Sequence, residues 1–371
     1  MDALDFHKKY RGKVKIMPKM DVSQKNLHIV YTPGVAQVTK KIAENPQNSF
    51  IYTSRCNNAA IITDGTRTIG VGNTIPEASM PVMEGKAILF KILGNVDAYP
   101  LCLGTKSAKE IVRTVEILEP SFGAFNIEDI ESPKCFEIME ELEQKKILTF
   151  HDDQQGTAIV VLAGILNAFK AMKKDLKKSK ICLAGAGAAG YGVFKILKEI
   201  GIKNLVVFDN NGLIYKNREG DNKYQREIGD FSNRENKRGG LKEAIEGADL
   251  FIGLTGKAGL LKTEHISLMN KNPIIFALSN PVPEIFPEEI NKTTKNYLYA
   301  TGRSDFPNQI NNAIAFPGVF RGILDKRRKI DLKLEVKIAK AIANLIKNPS
   351  KKRILPDVFD KRLLKTIANC F

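Results

Sequence analysis

KICLAGAGAAGYGVFKILKEIGIKNLVVFD, residues 180–209, reads as strand, glycine turn, helix and strand in that order. The apolar run Ile181 to Ala184 leads into Gly185-x-Gly187-x-x-Gly190, which opens a helical window, and Asp209 closes the next apolar run 19 residues after the last glycine. A lone glycine triplet is weak information. A triplet that follows a strand, opens a helix and is answered by an acid is the dinucleotide-binding fingerprint in its required context. The first glycine permits the tight turn, the second lets backbone approach a pyrophosphate, and the third lets helix and strand pack closely. With Ala186, Ala188 and Ala189 between them, these residues form the predicted pyrophosphate cradle at a helix N-terminus. Asp209 can accept hydrogen bonds from a ribose 2′-hydroxyl and would repel a 2′-phosphate, which favours NAD over NADP. A neighbouring lysine such as Lys216 could reverse that preference.

Outward from this unit the chain continues the alternation of a parallel sheet. Strand candidates recur at Asp249 to Leu254, Pro273 to Leu278 and Tyr297 to Ala300, with helical windows between them. The segment Tyr215 to Gly240 is densely charged and aperiodic, and it reads as an exposed excursion. Amphipathic windows at 332–348 and 357–369 read as closing helices. Upstream, Ala158 to Phe169 is an apolar run containing Asn167, too short to span a bilayer, and it predicts a buried helix. The chain before about residue 155 is punctuated by Pro and Gly, as in YTPGVA, TDGTRTIGVGN and MPVMEGKAILFKILG, and such turn-rich stretches are where site residues collect.

At 371 residues two domains are expected, and 43% hydrophobic with 26% charged residues describes an ordinary globular chain. Cys56, Cys102, Cys135, Cys182 and Cys370 are odd in number and lack CxxC spacing, which argues against a disulfide framework or a zinc site. A reducing cytoplasm fits them. MDALDFHKKYRGK has neither the apolar core of a signal peptide nor the acid-free character of a transit peptide. The net charge of +16 is mostly lysine spread through segments such as KKDLKKSK and KRRK, without aromatic interleaving, so it reads as solvated faces rather than a nucleic-acid surface. Neither a membrane nor a nucleic-acid partner is expected. A general positive potential would gather anionic substrates.

Two acidic doublets, Glu128-Asp129 and Asp152-Asp153, precede the glycine fingerprint. Carboxylates grouped this tightly repel one another unless a cation sits between them. Hard divalent ions such as Mg²⁺ and Mn²⁺ take oxygen ligands and leave positions open for substrate. Such an ion beside a nicotinamide is an arrangement for metal-assisted redox chemistry. Exposed acids on loops would leave the same trace.

Eight blocks taken in order resemble one family. YTPGVA (31–36), TDGTRTIGVGN (63–73), PVMEGKAILFK (81–91), NIEDIESPKCFEI (126–138), FHDDQQGTAIVV (150–161), GAGAAG (185–190), FALSNPVPEI (276–285) and ATGRSDFPNQINNAIAFPGVFRG (300–322) are similar to the malic enzymes, particularly the short bacterial and archaeal type. The resemblance implies an N-terminal malic-type α/β domain over 1–155. A doubly wound Rossmann NAD(P)-binding domain with C-terminal helices would follow over 156–371. It implies oxidative decarboxylation of L-malate to pyruvate and CO₂ with NAD(P)⁺ and Mg²⁺ or Mn²⁺, in at least a homodimer. Lys86 matches the general base and Tyr31 the general acid. Glu128, Asp129 and Asp153 match the metal ligands, and Asp152 matches a position that orients them or tunes Lys86. A lysine serves as base near neutral pH only where desolvation or a nearby cation lowers its pKa. Asn280 and Asn312 match amides touching cofactor and malate, and Arg67 would suit a carboxylate by bidentate pairing.

Some residues depart from the short type's pattern. Arg67 stands where that type usually has a small apolar residue. Ile75 replaces a glycine, and Gln155 stands where histidine is frequent. His151, beside the acids, reads as structural, since a hard ion does not favour imidazole. Three rival functions remain. A malolactic enzyme would return the hydride to give lactate. A catalytically silent nucleotide-binding regulator would keep the fold, and a nucleic-acid binder would use the charge.

Overall fold

The structure, a computed structural model, describes residues 2–10 and 12–371. The chain begins as an arm of helices α1 (Ala3–Tyr10), α2 (Leu27–Val30) and α3 (Val35–Glu44), none of which contributes a buried residue, followed by the short α4 (Ser49–Tyr52). A first sheet has the order β2-β1-β3-β4, from β1 (Asn58–Thr63), β2 (Asp97–Cys102), β3 (Ala124–Ile127) and β4 (Thr149–His151), all parallel. Its crossovers are α5 (Pro76–Gly94), α6 (Ala108–Leu118) and α7 (Lys134–Gln144). Parallel strands need such helical returns, and strands covered on both faces become continuous apolar runs, as AAII of β1 shows.

A second sheet has the order β10-β9-β8-β5-β6-β7. Its strands are β5 (Ile181–Ala184), β6 (Leu205–Asp209), β7 (Gly212–Leu213), β8 (Leu250–Gly253), β9 (Ile274–Ala277) and β10 (Leu298–Thr301). Only the β6–β7 hairpin is antiparallel. Helices α8 (Thr157–Met172), α9 (Ala188–Glu199), α10 (Lys223–Phe231), α11 (Leu241–Ile245), α12 (Thr263–Ser267) and α13 (Pro287–Ile290) accompany it. The chain closes with α14 (Phe316–Lys326), α15 (Leu332–Asn344) and α16 (Arg362–Ala368). The expected α/β architecture is present, and each expected strand lies within a residue or two of its place.

The apolar run predicted as a buried helix is α8. With the π-helical turn Asp152–Gly156 ahead of it, the helical segment reaches 21 residues, which by length and composition could cross a membrane, but 78% of its most apolar window is buried inside the protein. Its polar Asn167 is buried and donates to the carbonyls of Ala343 and Ile354, both at 2.9 Å. Both amide hydrogens are thereby paired inside the core, while Oδ1 has no protein partner.

One expectation is overturned. Residues 215–240 are not an exposed excursion: they hold α10, and Arg218, Tyr224 and Ile228 are buried. Tyr224 packs its ring against Phe136 and Tyr191, while Asn222 caps the helix reciprocally with Gln225. A single apolar stripe on a helix otherwise made of charges is too thin for periodicity to reveal. The closing helices are also shorter than their windows, and α16 starts only after Asp360 has caught the Arg362 amide and guanidinium.

Candidate active site

The carboxyl ends of both sheets face one cleft of about 970 Å³, lined from the first sheet by Arg67, Asp129 and Asp153 and from the second by Gly185, Asp209 and Asn280. Ligands of open parallel sheets bind at such ends because loops and helix N-termini converge there. The acids come off successive strands. Glu128 and Asp129 follow β3, and Asp152 and Asp153 begin the π-helical turn after β4. One carboxylate oxygen from each of Glu128, Asp129 and Asp153 lies within 4.8 Å of the others.

Hydrogen bonds hold this triad in place. Asn126 donates to Glu128 Oε2 at 2.6 Å, the Asp129 amide donates to Asp153 Oδ2 at 2.8 Å, and the Ile69 amide donates to Asp129 Oδ2 at 3.2 Å. Burial, with repulsion from Asp153, pushes the Asp129 carboxyl up to about 7, and burial likewise raises Glu128. Burial also opposes ionisation of Asp153, but the adjacent His151 ring outweighs it, and this carboxyl stays below the ordinary range. Three converging carboxylates, two of them pushed toward holding protons, have the donor chemistry a hard divalent cation satisfies. His151 is fully buried with Nε2 3.5 Å from Asp153 Oδ2, so it backs that acid from inside the protein.

Lys86, on α5, reaches into the same cluster. Its Nζ donates to Glu128 Oε1 at 2.8 Å and to Asp152 Oδ2, and it lies 4.3 Å from the centroid of the Phe316 ring. Burial opposes its charge, but Asp152 and Glu128 outweigh burial and hold it as the ammonium, above the usual lysine range. The expectation that its surroundings lower its pKa is therefore not met by protein groups alone. An ion engaging Glu128 would remove one of the two charges that keep the proton on. Asp152 is fully buried and has a carboxylate oxygen without a protein partner.

Asn312 sits behind the acids rather than in the cleft wall: its Nδ2 donates to the Asp152 carbonyl at 3.2 Å and to Thr157 Oγ1 at 3.1 Å. Arg67 is exposed at the rim, its amide bonded to the Asp129 carbonyl at 2.9 Å. Tyr31 is not brought to the site. It follows α2 in the arm, 68% exposed, and among the described residues no tyrosine lines the cleft.

On the nucleotide side, a Cβ at Gly190 would collide with the Gly185 carbonyl oxygen, and one at Gly192 would collide with that of Gln154. These two glycines bring α9 close to the turn of its own strand and against the acid-bearing turn. Gly187, Ala188 and Ala189 line the cleft where α9 begins, so the cradle fits a pyrophosphate. Asp209 also lines the cleft, but Arg218 grips it from behind through Nη1 to Oδ1 at 2.9 Å and Nη2 to Oδ2 at 2.6 Å, and Asp221 holds the far side of that guanidinium. Lys216 does not line the cleft.

Sequence reasoning missed Arg218, Phe316, Glu284 and Glu335. Glu284, fully buried, accepts from the Ser279 amide at 3.1 Å and from its hydroxyl at 2.5 Å, and Ser279 Oγ accepts from the Gly256 amide, which fixes the two loops beside Asn280. The signal for Glu284 was present as the acid closing SNPVPE. Glu335 looked like any charge on an amphipathic helix.

Residues 11–110 match "Malic enzyme, N-terminal domain" and residues 154–368 match "Malic enzyme, NAD binding domain". The chain belongs to the malic enzyme family. Among malic enzyme relatives, the bifunctional malic/malolactic enzyme of Bacillus subtilis is 44% identical over 99% of this chain and 90% of its own length. The NAD-dependent malic enzyme of Geobacillus stearothermophilus is 44% identical over 96% of this chain and 75% of its own length. The crystal structure of the NAD-dependent malic enzyme from Thermotoga maritima superposes with a TM-score of 0.95 at 43% identity, covering 100% of this chain, arm included, and 98% of that one. The malic enzyme fold, an N-terminal α/β domain and an NAD-binding domain, is thus the fold of this protein.

Proposed function

We propose that this protein catalyses the divalent-metal-dependent oxidative decarboxylation of L-malate to pyruvate and CO₂, with NAD⁺ preferred over NADP⁺ as acceptor. The observation that carries this reading is the convergence of Glu128, Asp129, Asp153 and Lys86 opposite the Gly185–Gly190 cradle in one cleft. Glu128, Asp129 and Asp153 would hold a divalent ion, which when bound would supply Lewis acidity toward the substrate. The Gly185–Gly190 cradle with Asp209 would hold NAD⁺, which when bound would supply a hydride acceptor.

The remaining work falls to this chain's own side chains. Arg67, exposed at the rim and with its guanidinium near the loop of Gly256, pairs with a substrate carboxylate. Lys86 Nζ takes the C2 hydroxyl proton, returns it to that oxygen as CO₂ leaves, and takes it again when C3 is protonated. Asp152 orients Lys86, and Asn312 with Thr157 fixes Asp152 from behind. Tyr31 Oη supplies the C3 proton. We further propose a domain boundary near residue 155, a homo-oligomeric assembly and a cytoplasmic setting.

The test is initial-rate measurement with malate, each cofactor, and Mg²⁺ or Mn²⁺, following NAD(P)H, pyruvate and lactate together. Reduced cofactor and pyruvate in equal amounts are expected. Lactate without accumulated NADH would instead identify the malolactic outcome, a reading raised by the bifunctional name of the Bacillus subtilis relative. Malate turnover undiminished in excess chelator would overturn the metal assignment.

A further inference from the structure

Among the described residues three acids have no exposed surface at all: Asp64, Asp152 and Glu284. Two of them are paired with a base, Asp64 with Lys134 and Asp152 with Lys86. Glu284 is not. Its partners are the Ser279 amide at 3.1 Å, the Ser279 hydroxyl at 2.5 Å and the Thr255 hydroxyl at 3.5 Å, all neutral donors. Ser279 Oγ already accepts from the Gly256 amide, so its own proton is free to point at Glu284. Burial raises this carboxyl, and the surrounding donors oppose that rise. A buried carboxylate without a counter-charge is costly, and such groups concentrate where a site makes use of them.

The carboxyl lies beneath one end of the cleft, and strand order says which end that is. The pyrophosphate cradle follows β5, and Asp209, facing the ribose of the adenosine, ends β6. On the other side of β5 the sheet continues through β8 and β9. A dinucleotide laid across these strand ends therefore has its second base over the loops that follow β8 and β9. Those loops, Leu254 to Gly256 and Leu278 to Pro281, line the cleft, while Glu284 itself does not. Glu284 ties the two loops together from below, and a Cβ on Gly253, the last residue of β8, would strike its carboxyl carbon.

We infer that Glu284 is the buried counter-charge for the cationic nicotinamide ring of the oxidised cofactor, and that it makes the cleft bind NAD⁺ in preference to NADH. The inference rests on the cofactor reading above. The two nucleotides share their phosphates and nearly their shape, and they differ by one hydride and hence by the positive charge of the ring. A fixed carboxylate beneath the ring senses that difference, and the neutral loop atoms do not. Exclusion of water from around Glu284 keeps the attraction from being screened. Glu128, Asp129 and Asp153 on the opposite wall would have their charge offset by a bound divalent ion, whereas Glu284 keeps its own. A site that favours the oxidised form also lets the reduced form leave, which suits release of NADH rather than its retention for a second half-reaction.

Glu284→Gln removes the charge and keeps the shape: the new amide oxygen can accept from the Ser279 amide, and the amide nitrogen can donate to Ser279 Oγ. Dissociation constants of NAD⁺ and NADH would be measured by titration calorimetry at pH 8, with Mg²⁺ and without malate. The substitution is expected to weaken NAD⁺ by about 10-fold and to leave NADH within about 2-fold. Equal weakening of both would make Glu284 a loop anchor only and overturn the inference, as would no change in either. The wild-type protein offers a check that does not depend on the variant folding. Benzamide adenine dinucleotide, whose ring has the nicotinamide shape without its charge, should bind the wild type about 10-fold more weakly than NAD⁺. Equal affinity for the two overturns the inference. Failure of the wild type to bind either NAD⁺ or NADH would sink the cofactor reading as well, which equal weakening in the variant would leave standing.

Discussion

Glu335→Gln is expected to stabilise this protein above neutral pH and to leave it unchanged in acid. Glu335 is 5% exposed on α15, on a helix face shared with the buried Ile338, Ala339 and Ile342, and it accepts from Gln155 Nε2 at 2.8 Å. Burial lifts its carboxyl from the ordinary 4.5 to about 7, with the Gln155 hydrogen bond and the Lys195 charge only partly opposing. The folded protein therefore holds this proton more tightly than the unfolded chain. The resulting stability is fully present below pH 4.5 and is lost as pH rises through about 7. A carboxyl displaced over that interval corresponds to about 3 kcal/mol at pH 8, an upper figure for one group. Glutamine keeps the shape and can accept the same Gln155 amide, but it never ionises.

Urea unfolding of both proteins at pH 5 and pH 8, in chelator so that the metal acids titrate alike in each, should show the variant ahead by up to about 3 kcal/mol at pH 8. At pH 5 the difference should shrink to about 1 kcal/mol or less. A difference that is the same at both pH values, or a variant weaker at pH 8, would refute the account of Glu335 as a buried carboxyl forced to ionise. The same pair reaches the site, because Gln155 Oε1 also accepts the His151 amide at the start of the acid-bearing turn.

Lys86→Ala should reduce kcat by about 10²- to 10⁴-fold with the circular dichroism spectrum intact, and near-normal turnover would remove it from the mechanism. Chelator should abolish malate oxidation, and Asp153→Asn should raise the Mn²⁺ needed for half-maximal rate by about 10-fold or more; an unchanged metal requirement would remove Asp153 from the ligand set. Asp209→Ser should shift the NAD⁺ to NADP⁺ ratio of kcat/KM toward NADP⁺ by about 10-fold or more, through loss of the repelling carboxylate and release of Arg218 from its grip. An unchanged ratio would place cofactor selection elsewhere.

Much of the site was legible because its chemistry is written in local strings. GAGAAG can cradle a phosphate only at the mouth of a βαβ unit, and that unit spans a single run of thirty residues. The two doublets announced a cation because adjacent acids carry their repulsion in the sequence itself. Residues 215–240 were illegible for the opposite reason. Arg218 is a charge that becomes interior only when Asp209 and Asp221 close on it, and in a string of charges nothing marks it as different from Arg226 or Lys237. Phe316 and Glu335 reach the site from helices far along the chain, and only packing puts them there.

By itself the sequence determined the fold class, the nucleotide cradle, the acids and the order in which they arrive, since each follows from periodicity, glycine placement or local charge. Only the tertiary structure decided which groups meet. It put Lys86 between Glu128 and Asp152 as an ammonium, Arg218 behind Asp209, and Tyr31 outside its own cleft. Whether a charge is neutralised, and whether a side chain reaches a pocket, depends on what approaches from distant parts of the chain.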